Sequence, residues 1–360
     1  MMLRNGVRVS GAVIVLLALA GVAAGCGGGG GGGKKIALLL PENHTPRYEA
    51  NDRPNFEAKV KALCSDCKIL YSNATQDASK QQSQAEAALT QGADVLVVDA
   101  VDAGSAGAIV AKAKGQNVPV VSYDRLITNS DVDYYVSFDN VRVGRLQGET
   151  LIKGLKANGK ASGPVVMVAG DPADNNAKLF KQGATGALKA GGVTIAKSYD
   201  TPGWTADKAQ TEMQQAITAL GNNGFAGVLA ANDDLGGAAI AAMKGAGVKP
   251  STRPTTGQDA TVAGLQRILA GDQYMTVWKP NKPEADAAAE IAVALAKGDK
   301  VPSGLVNQQV NNGKKNVSSV ILAPVAVIKS NVNKVVQSGD VKKSDVCKGS
   351  FSSACSSAGI

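Results

Sequence analysis

A single histidine, His44, stands in a chain of 360 residues. Any site that needs two imidazoles is excluded, and a Ser/His/Asp arrangement would have to be built on that one ring. Hydrolase and zinc-enzyme readings therefore start with little support. Aromatic residues make up only 4% of the chain, and beyond the N-terminus no aliphatic run reaches the ~18 residues of a membrane span. A multispan channel drops out. With 44% hydrophobic and 19% charged residues, the composition is that of a globular chain rather than a disordered one. Its length fills roughly two to three domains.

Residues 1–25 carry Arg4 and Arg8, then an apolar stretch from Gly11 to Ala24, and Cys26 follows Gly25. This is the layout of a secretory signal, not of a structural helix. Its small-residue end before a cysteine resembles a bacterial lipoprotein signal, in which the cysteine becomes a lipid-bearing mature N-terminus. Lipidation of Cys26 and extracytoplasmic anchoring are expected, against plain cleavage. Removing both arginines takes the formal charge from the +8 of the whole chain to +6, with lysines scattered among acids. Such charge serves solubility and is no nucleic-acid footprint.

Glycines fill most of residues 26–33, and with Lys34 they imitate a phosphate loop. A phosphate loop needs a strand before it and a helix after; here Lys35 and an apolar run come next. The segment reads as a flexible tether. Four cysteines remain, as Cys64 with Cys67 and Cys347 with Cys355. An exported chain meets an oxidising compartment, so each local pair is expected to close as a disulfide. A redox or zinc reading of Cys64-Ser65-Asp66-Cys67 is the weaker alternative, since no second ligand pair lies nearby in the sequence.

From Lys34 onward, short aliphatic runs alternate with alanine-rich segments of helical length. Strands are expected at Ile36–Leu40, Lys68–Tyr71, Val95–Val98, Pro119–Ser122, Tyr134–Ser137, Val165–Val168, Ile195–Ser198, Gly227–Ala230 and Met275–Val277. Repeated strand–helix alternation implies α/β architecture with parallel sheets covered on both faces. Nine strands suit two doubly wound lobes better than one sheet. Crossovers between lobes are expected near Asp139, near residues 259–261 and around 302–307. They divide the chain into a first lobe of 34–139 plus 262–303 and a second of 140–261 plus 304–345. Residues 346–360 read as a loosely attached tail.

Polar residues gather where such strands end, which is where open parallel sheets bind ligands. Asp124 and Arg125 follow Val120–Tyr123, Asp174 and Asn176 follow Val165–Gly170, and Asn232 follows Val228–Ala231; Asp259 and Lys279 behave alike. Each alone could be a helix cap or a surface charge. Together they supply the donors and acceptors that suit vicinal hydroxyls, and Trp204 and Tyr48 add flat apolar faces.

At these residues the chain resembles the periplasmic sugar-binding proteins of ABC importers, most closely the D-xylose-binding branch. The resemblance rests on Arg47-Tyr48 with Asp52-Arg53-Pro54, Ser122-Tyr123-Asp124-Arg125, residues 134–140, Asp174-Asn175-Asn176-Ala177-Lys178-Leu179-Phe180, Gly257-Gln258-Asp259-Ala260 and Val277-Trp278-Lys279-Pro280. It implies a type I periplasmic binding protein whose lobes, joined by a multi-strand hinge, close on a monosaccharide. It further implies ligand contacts from Asp124, Arg125, Asp174, Asn176, Asn232, Asp259 and Lys279, with Trp204 and Tyr48 on the ring faces. A permease and its ATPase would be the partners of a monomeric, cofactor-free chain. A sugar sensor feeding a chemoreceptor or sensor kinase would use the same pocket. A transcription repressor of this fold would carry a DNA-binding head where this chain has a signal, and an enzyme would need a nucleotide loop it lacks.

Overall fold

The computed structural model describes residues 33–360, so the signal segment, Cys26 and nearly all of the glycine tether lie outside the described residues. The nine expected strands are present as β1 (Lys35–Leu40), β2 (Lys68–Asn73), β3 (Val95–Val98), β4 (Val120–Tyr123), β5 (Tyr134–Phe138), β6 (Val165–Ala169), β7 (Ile195–Asp200), β8 (Gly227–Ala230) and β9 (Met275–Trp278). Three more, β10 (Gln308–Asn311), β11 (Asn316–Leu322) and β12 (Val325–Ile328), occupy a stretch where none was expected. The helices are α1 (Arg53–Leu63), α2 (Ala78–Thr90), α3 (Gly107–Lys114), α4 (Asn140–Ala157), α5 (Asn175–Ala190), α6 (Ala206–Leu220), α7 (Asp233–Gly245), α8 (Val262–Ala270), α9 (Asn281–Lys297), α10 (Asn333–Ser338), α11 (Lys343–Val346) and α12 (Ser352–Ser357).

The first sheet runs β10-β11-β5-β4-β3-β1-β2, parallel except for β10 at its edge. Its inner strands β3 and β4 are buried along their whole length, which is why they read as unbroken apolar runs rather than alternating ones. Helices α1 and α9 cover one face and α2 and α3 the other. Ala285, Ala288 and Ala292 of α9 are fully buried; with only methyl side chains on that stripe, the helix axis lies close to the sheet.

The second sheet has β7-β6-β8 in parallel order and continues through an irregular segment, residues 254–259. Val228 N donates to Pro254 O at 3.0 Å, Tyr274 N to Thr255 O at 3.0 Å and Val277 N to Gly257 O at 3.1 Å. That segment carries the ladder across to β9, whose antiparallel partner is β12. Helices α4 and α5 pack on one face and α6 and α7 on the other. The α4–α5 contact is held at backbone distance: a Cβ on Gly144 would lie 1.9 Å from Phe180 O, and one on Gly183 2.0 Å from Val141 O. No side chain fits there, and the pairing sets the N-termini of both helices side by side.

The chain passes between lobes three times, from β5 into α4, from β9 into α9 and from β11 into β12. Two of the expected crossovers are thereby corrected. Residues 259–261 stay in the second lobe, because Asp259 N donates to Val277 O at 2.8 Å and Thr261 caps α8 there. Residues 302–307 stay in the first, because they lead into β10 and β11, and β11 pairs with β5. The lobe limits move accordingly. Residues 262–280 belong to the second lobe, where Leu265 and Leu269 of α8 pack on Val327 and Val332, whereas 308–322 extend the first sheet.

Residues 346–360 are not a loose tail. Val346 and Cys355 are buried against α8, in one cluster with Leu265 and Leu269. The disulfide Cys347–Cys355, with Cα atoms 5.7 Å apart, ties α11 to α12 and lets two very short helices serve as a cap. The second disulfide, Cys64–Cys67, closes the turn after α1. Among the described residues, Cys64, Asp66 and Cys67 form the one group compact enough for a metal, but both sulfurs are spent on each other and neither is a free thiolate. Among the described residues no helix is long and apolar enough to cross a membrane.

Candidate functional site

The carboxyl ends of the strands of both sheets face one cavity, the place where open parallel sheets bind ligands. All nine residues singled out in the sequence line it. Tyr48, Asp124 and Arg125 come from the first lobe; Asp174, Asn176, Trp204, Asn232 and Asp259 come from the second; Lys279 comes from the crossing between β9 and α9. Thr45, Arg47, Phe180 and Gln258 complete the wall.

Backbone geometry aims several of these groups. Asp124, Trp204 and Asp259 have φ of 49°, 56° and 86°, the left-handed region that costs a non-glycine residue on the order of 1–3 kcal/mol and clusters at functional sites. For Asp124 the surroundings enforce it: its carbonyl accepts from Ser137 Oγ at 2.6 Å, Asn176 Nδ2 at 3.0 Å and Tyr135 Oη at 3.2 Å. Trp204 lies over Gly170, where a Cβ would fall 2.0 Å from the indole ring, so only glycine at the end of β6 seats that ring.

The capping alternative divides the set. Asn232 caps α7, accepting from Leu235 N at 2.9 Å, and Asp174 caps α5, accepting from Asn176 N at 2.8 Å. Both do so while lining the cavity, and Asp174 turns its second oxygen to Arg125 Nε at 3.1 Å. Asp124 caps nothing: the residues after it form turns, and the next helix begins at Asn140.

Three buried cations organise the charge. Arg47 is gripped by Asp52 through two hydrogen bonds of 2.8 and 2.6 Å and by Glu284 at 2.5 Å, and its Nη1 faces Asp124 at 3.5 Å. Arg125 faces Asp174 at 3.1 Å, Asp99 at 3.6 Å and Glu42 at 3.9 Å, and donates to Tyr48 Oη at 3.2 Å. Lys279 lies between Asp259 at 3.5 Å and Asp124 at 3.8 Å, 5.7 Å from the ring centres of Phe138 and Phe180. Asp124 therefore balances Arg47 and Lys279. It makes no ion pair with its neighbour Arg125.

Burial alone would raise the Asp124 carboxyl, but Arg47, Lys279 and Arg125 outweigh it and hold the group below the usual carboxylate range. At Asp99, Glu284 and Asp174 burial prevails over the facing arginines and pushes the carboxyl up. Asp124 is thus the anionic centre of the cavity, and the outer acids hold the arginines in place. Sequence reasoning missed Arg47 as a lining residue. Its signal was Asp52, five positions on, the spacing that lets a guanidinium fold back on a carboxylate.

The profile of the periplasmic binding protein domain matches residues 36–300. The chain belongs to this family. A D-xylose-binding periplasmic protein of Haemophilus influenzae is 38% identical over 84% of this chain and 88% of its own length, and its Escherichia coli counterpart is 35% identical over 87% and 92%. The multiple sugar-binding periplasmic receptor ChvE of Rhizobium radiobacter is 32% identical over 87% and 92%. Among solved structures, an ABC transporter solute binding protein from Clostridium phytofermentans, with bound β-D-glucose, superposes with a TM-score of 0.78 at 28% identity, covering 87% of this chain and all of that one. These relatives are binding proteins, and this periplasmic binding protein is likewise not an enzyme.

One titration can be read in a second cavity, where Asp234 and Arg267 of the second lobe meet His44 of the first beside Trp204. Burial, reinforced by the charges of Asp233 and Asp259, lifts the Asp234 carboxyl to about 7. A carboxyl raised on folding adds stability that is complete below its unfolded value near 3.9 and lost as pH rises through the folded value. The melting temperature should therefore fall between pH 5 and pH 8, and Asp234→Asn should flatten that slope. An unchanged slope in the variant would contradict this assignment.

Proposed function

We propose that this protein captures a neutral monosaccharide, with D-xylose favoured, between its two lobes and delivers it to an ABC permease and ATPase. One observation carries the reading. Among the described residues, buried polar atoms without a hydrogen-bond partner occur on the cavity-lining residues in both kinds: donors at Arg47 Nη1 and Trp204 Nε1, acceptors at Asp259 Oδ1 and Gln258 Oε1. Arg47 Nη1 and Asp259 Oδ1 do face an opposite charge at 3.5 Å; Trp204 Nε1 and Gln258 Oε1 have no such partner, and leaving a group of that kind unpaired costs about 1–3 kcal/mol. A hydroxyl donates and accepts at once, so a ring of vicinal hydroxyls suits both kinds. Trp204 and Tyr48 supply faces for the C–H side of a pyranose, and the names of the xylose-binding relatives favour that sugar.

In this reading Asp124 accepts from sugar hydroxyls, and closure is driven by contacts made to both lobes at once. Asp124→Ala removes the central acceptor and leaves Arg47 and Lys279 short of one counter-charge. Folding should survive, because Arg47 keeps Asp52 and Glu284, Lys279 keeps Asp259, and the bonds from Ser137, Tyr135 and Asn176 go to the Asp124 main chain. Calorimetry against D-xylose and other aldoses should show binding by the wild type and at least ~100-fold weaker binding by Asp124→Ala, equivalent to about 2.7 kcal/mol. A change under ~3-fold at constant melting temperature would remove Asp124 from the site.

The extracytoplasmic location implied by the family fits a lipid anchor on Cys26, which lies outside the described residues. Mass spectrometry of the mature N-terminal peptide should show a diacylglycerol-bearing cysteine, released as unmodified soluble protein in Cys26→Ser. An unlipidated wild-type N-terminus would exclude the anchor.

A further inference from the structure

We infer that Asp340, on the C-terminal segment and outside the cavity, is a positioning residue that fixes Lys279 by holding Trp278, the residue before it, at the second lobe crossing. Helix α10 ends at Ser338, and Gly339, at φ 87°, turns the chain back so that Asp340 faces the crossing. Its Oδ2 accepts from Trp278 Nε1 at 2.6 Å. Burial pushes this carboxyl up, opposed by its bond from the Trp278 indole, which favours the charged form. Trp278 is the last residue of β9 in the second lobe, and Asn281 is the first residue of α9 in the first lobe. Between them stand only Lys279 and Pro280.

Two further contacts tie this brace to the cavity. With its amide assigned to satisfy both ends, Asn281 accepts from Arg47 Nε at 2.9 Å, and Asn51 of the first lobe, assigned in the same way, donates to the Asp340 carbonyl at 3.2 Å. Asp340 also has a firm base. Val341 and Trp278 pack in one apolar cluster with α8 and both cysteines of the Cys347–Cys355 disulfide. The capped tail thus presents a carboxylate to the hinge, and the hinge presents Lys279 to Asp124 and Asp259. A site group held by such supporting bonds keeps its geometry to about 0.5 Å, and loses it when the support goes.

The binding arm of the test rests on the monosaccharide reading; a second arm needs no ligand. Asp340→Ala should weaken D-xylose binding at least ~10-fold. Asp340→Asn, which keeps an oxygen for the indole, should stay within ~3-fold of wild type. Trp278→Phe should resemble Asp340→Ala, and the double variant should be no weaker than either single one, because both remove the same bond. In the free protein, hydrogen exchange at the Trp278 indole N–H should quicken at least ~10-fold in Asp340→Ala, with β6 unchanged. Unchanged exchange at the Trp278 indole overturns the inference, and so does an Asn variant as weak as the Ala variant. Absence of sugar binding by wild type would instead overturn the monosaccharide reading, leaving the exchange result to decide the brace.

Discussion

Three cations, Arg47, Arg125 and Lys279, are buried at the junction of two lobes, and their need for counter-charge shapes everything around them. Removing an ion from water costs several kcal/mol even after relaxation, so each must meet carboxylates at close range. Here Asp52 and Glu284 meet Arg47, Asp174 and Asp99 meet Arg125, and Asp259 meets Lys279, while Asp124 stands between Arg47 and Lys279. Partners on one cation come from different parts of the chain. Asp52 precedes α1 and Glu284 sits in the first turn of α9, so satisfying Arg47 fixes how the first lobe receives the chain after its second crossing. Satisfying Arg125 through Asp174 joins the lobes directly.

The same constraint separates two kinds of acid. Those that serve a cation from behind, Asp99 and Glu284, lie deep enough for burial to dominate and raise their carboxyl groups. Asp124, surrounded by all three cations, is held charged. The wall that faces the cavity therefore offers one firm acceptor, forked donors and aromatic faces, and its net charge is balanced by residues of its own. Such a wall suits a neutral polyhydroxylated ring and has no place for a ligand's own charge.

Much of this was legible in the sequence, and the failures have physical reasons. The inner parallel strands are buried on both faces and announce themselves as apolar runs, so β1, β3, β4, β6 and β8 could hardly be missed. β10, with its largely exposed Gln-Gln-Val-Asn run, is an antiparallel edge strand, and β11 carries two serines in its middle; neither has the composition of a buried strand, and the expected lobe limits fail with them. Asp124, Asn176 and Lys279 were legible because polar residues at strand ends converge by topology. Glu284 was not, since an acid in the first turn of an alanine-rich helix is what the helix dipole alone would favour. The tail misled in the same way. Its serine-rich composition reads as loose, but the disulfide and the buried side chains of Val346 and Cys355 fasten it to α8.

The central claim is that the cavity is electrically self-sufficient and recognises hydroxyls rather than charge. Calorimetric titration of the wild type with D-xylose and with its carboxylate counterpart, D-xylonate, at one pH and one ionic strength tests it most directly. The account predicts saturable binding of the neutral sugar and affinity for the acid at least ~100-fold lower, because an added carboxylate would be desolvated beside Asp124 and Asp259 with no free cation to meet it. Binding of xylonate as tight as that of xylose, or tighter, would contradict it.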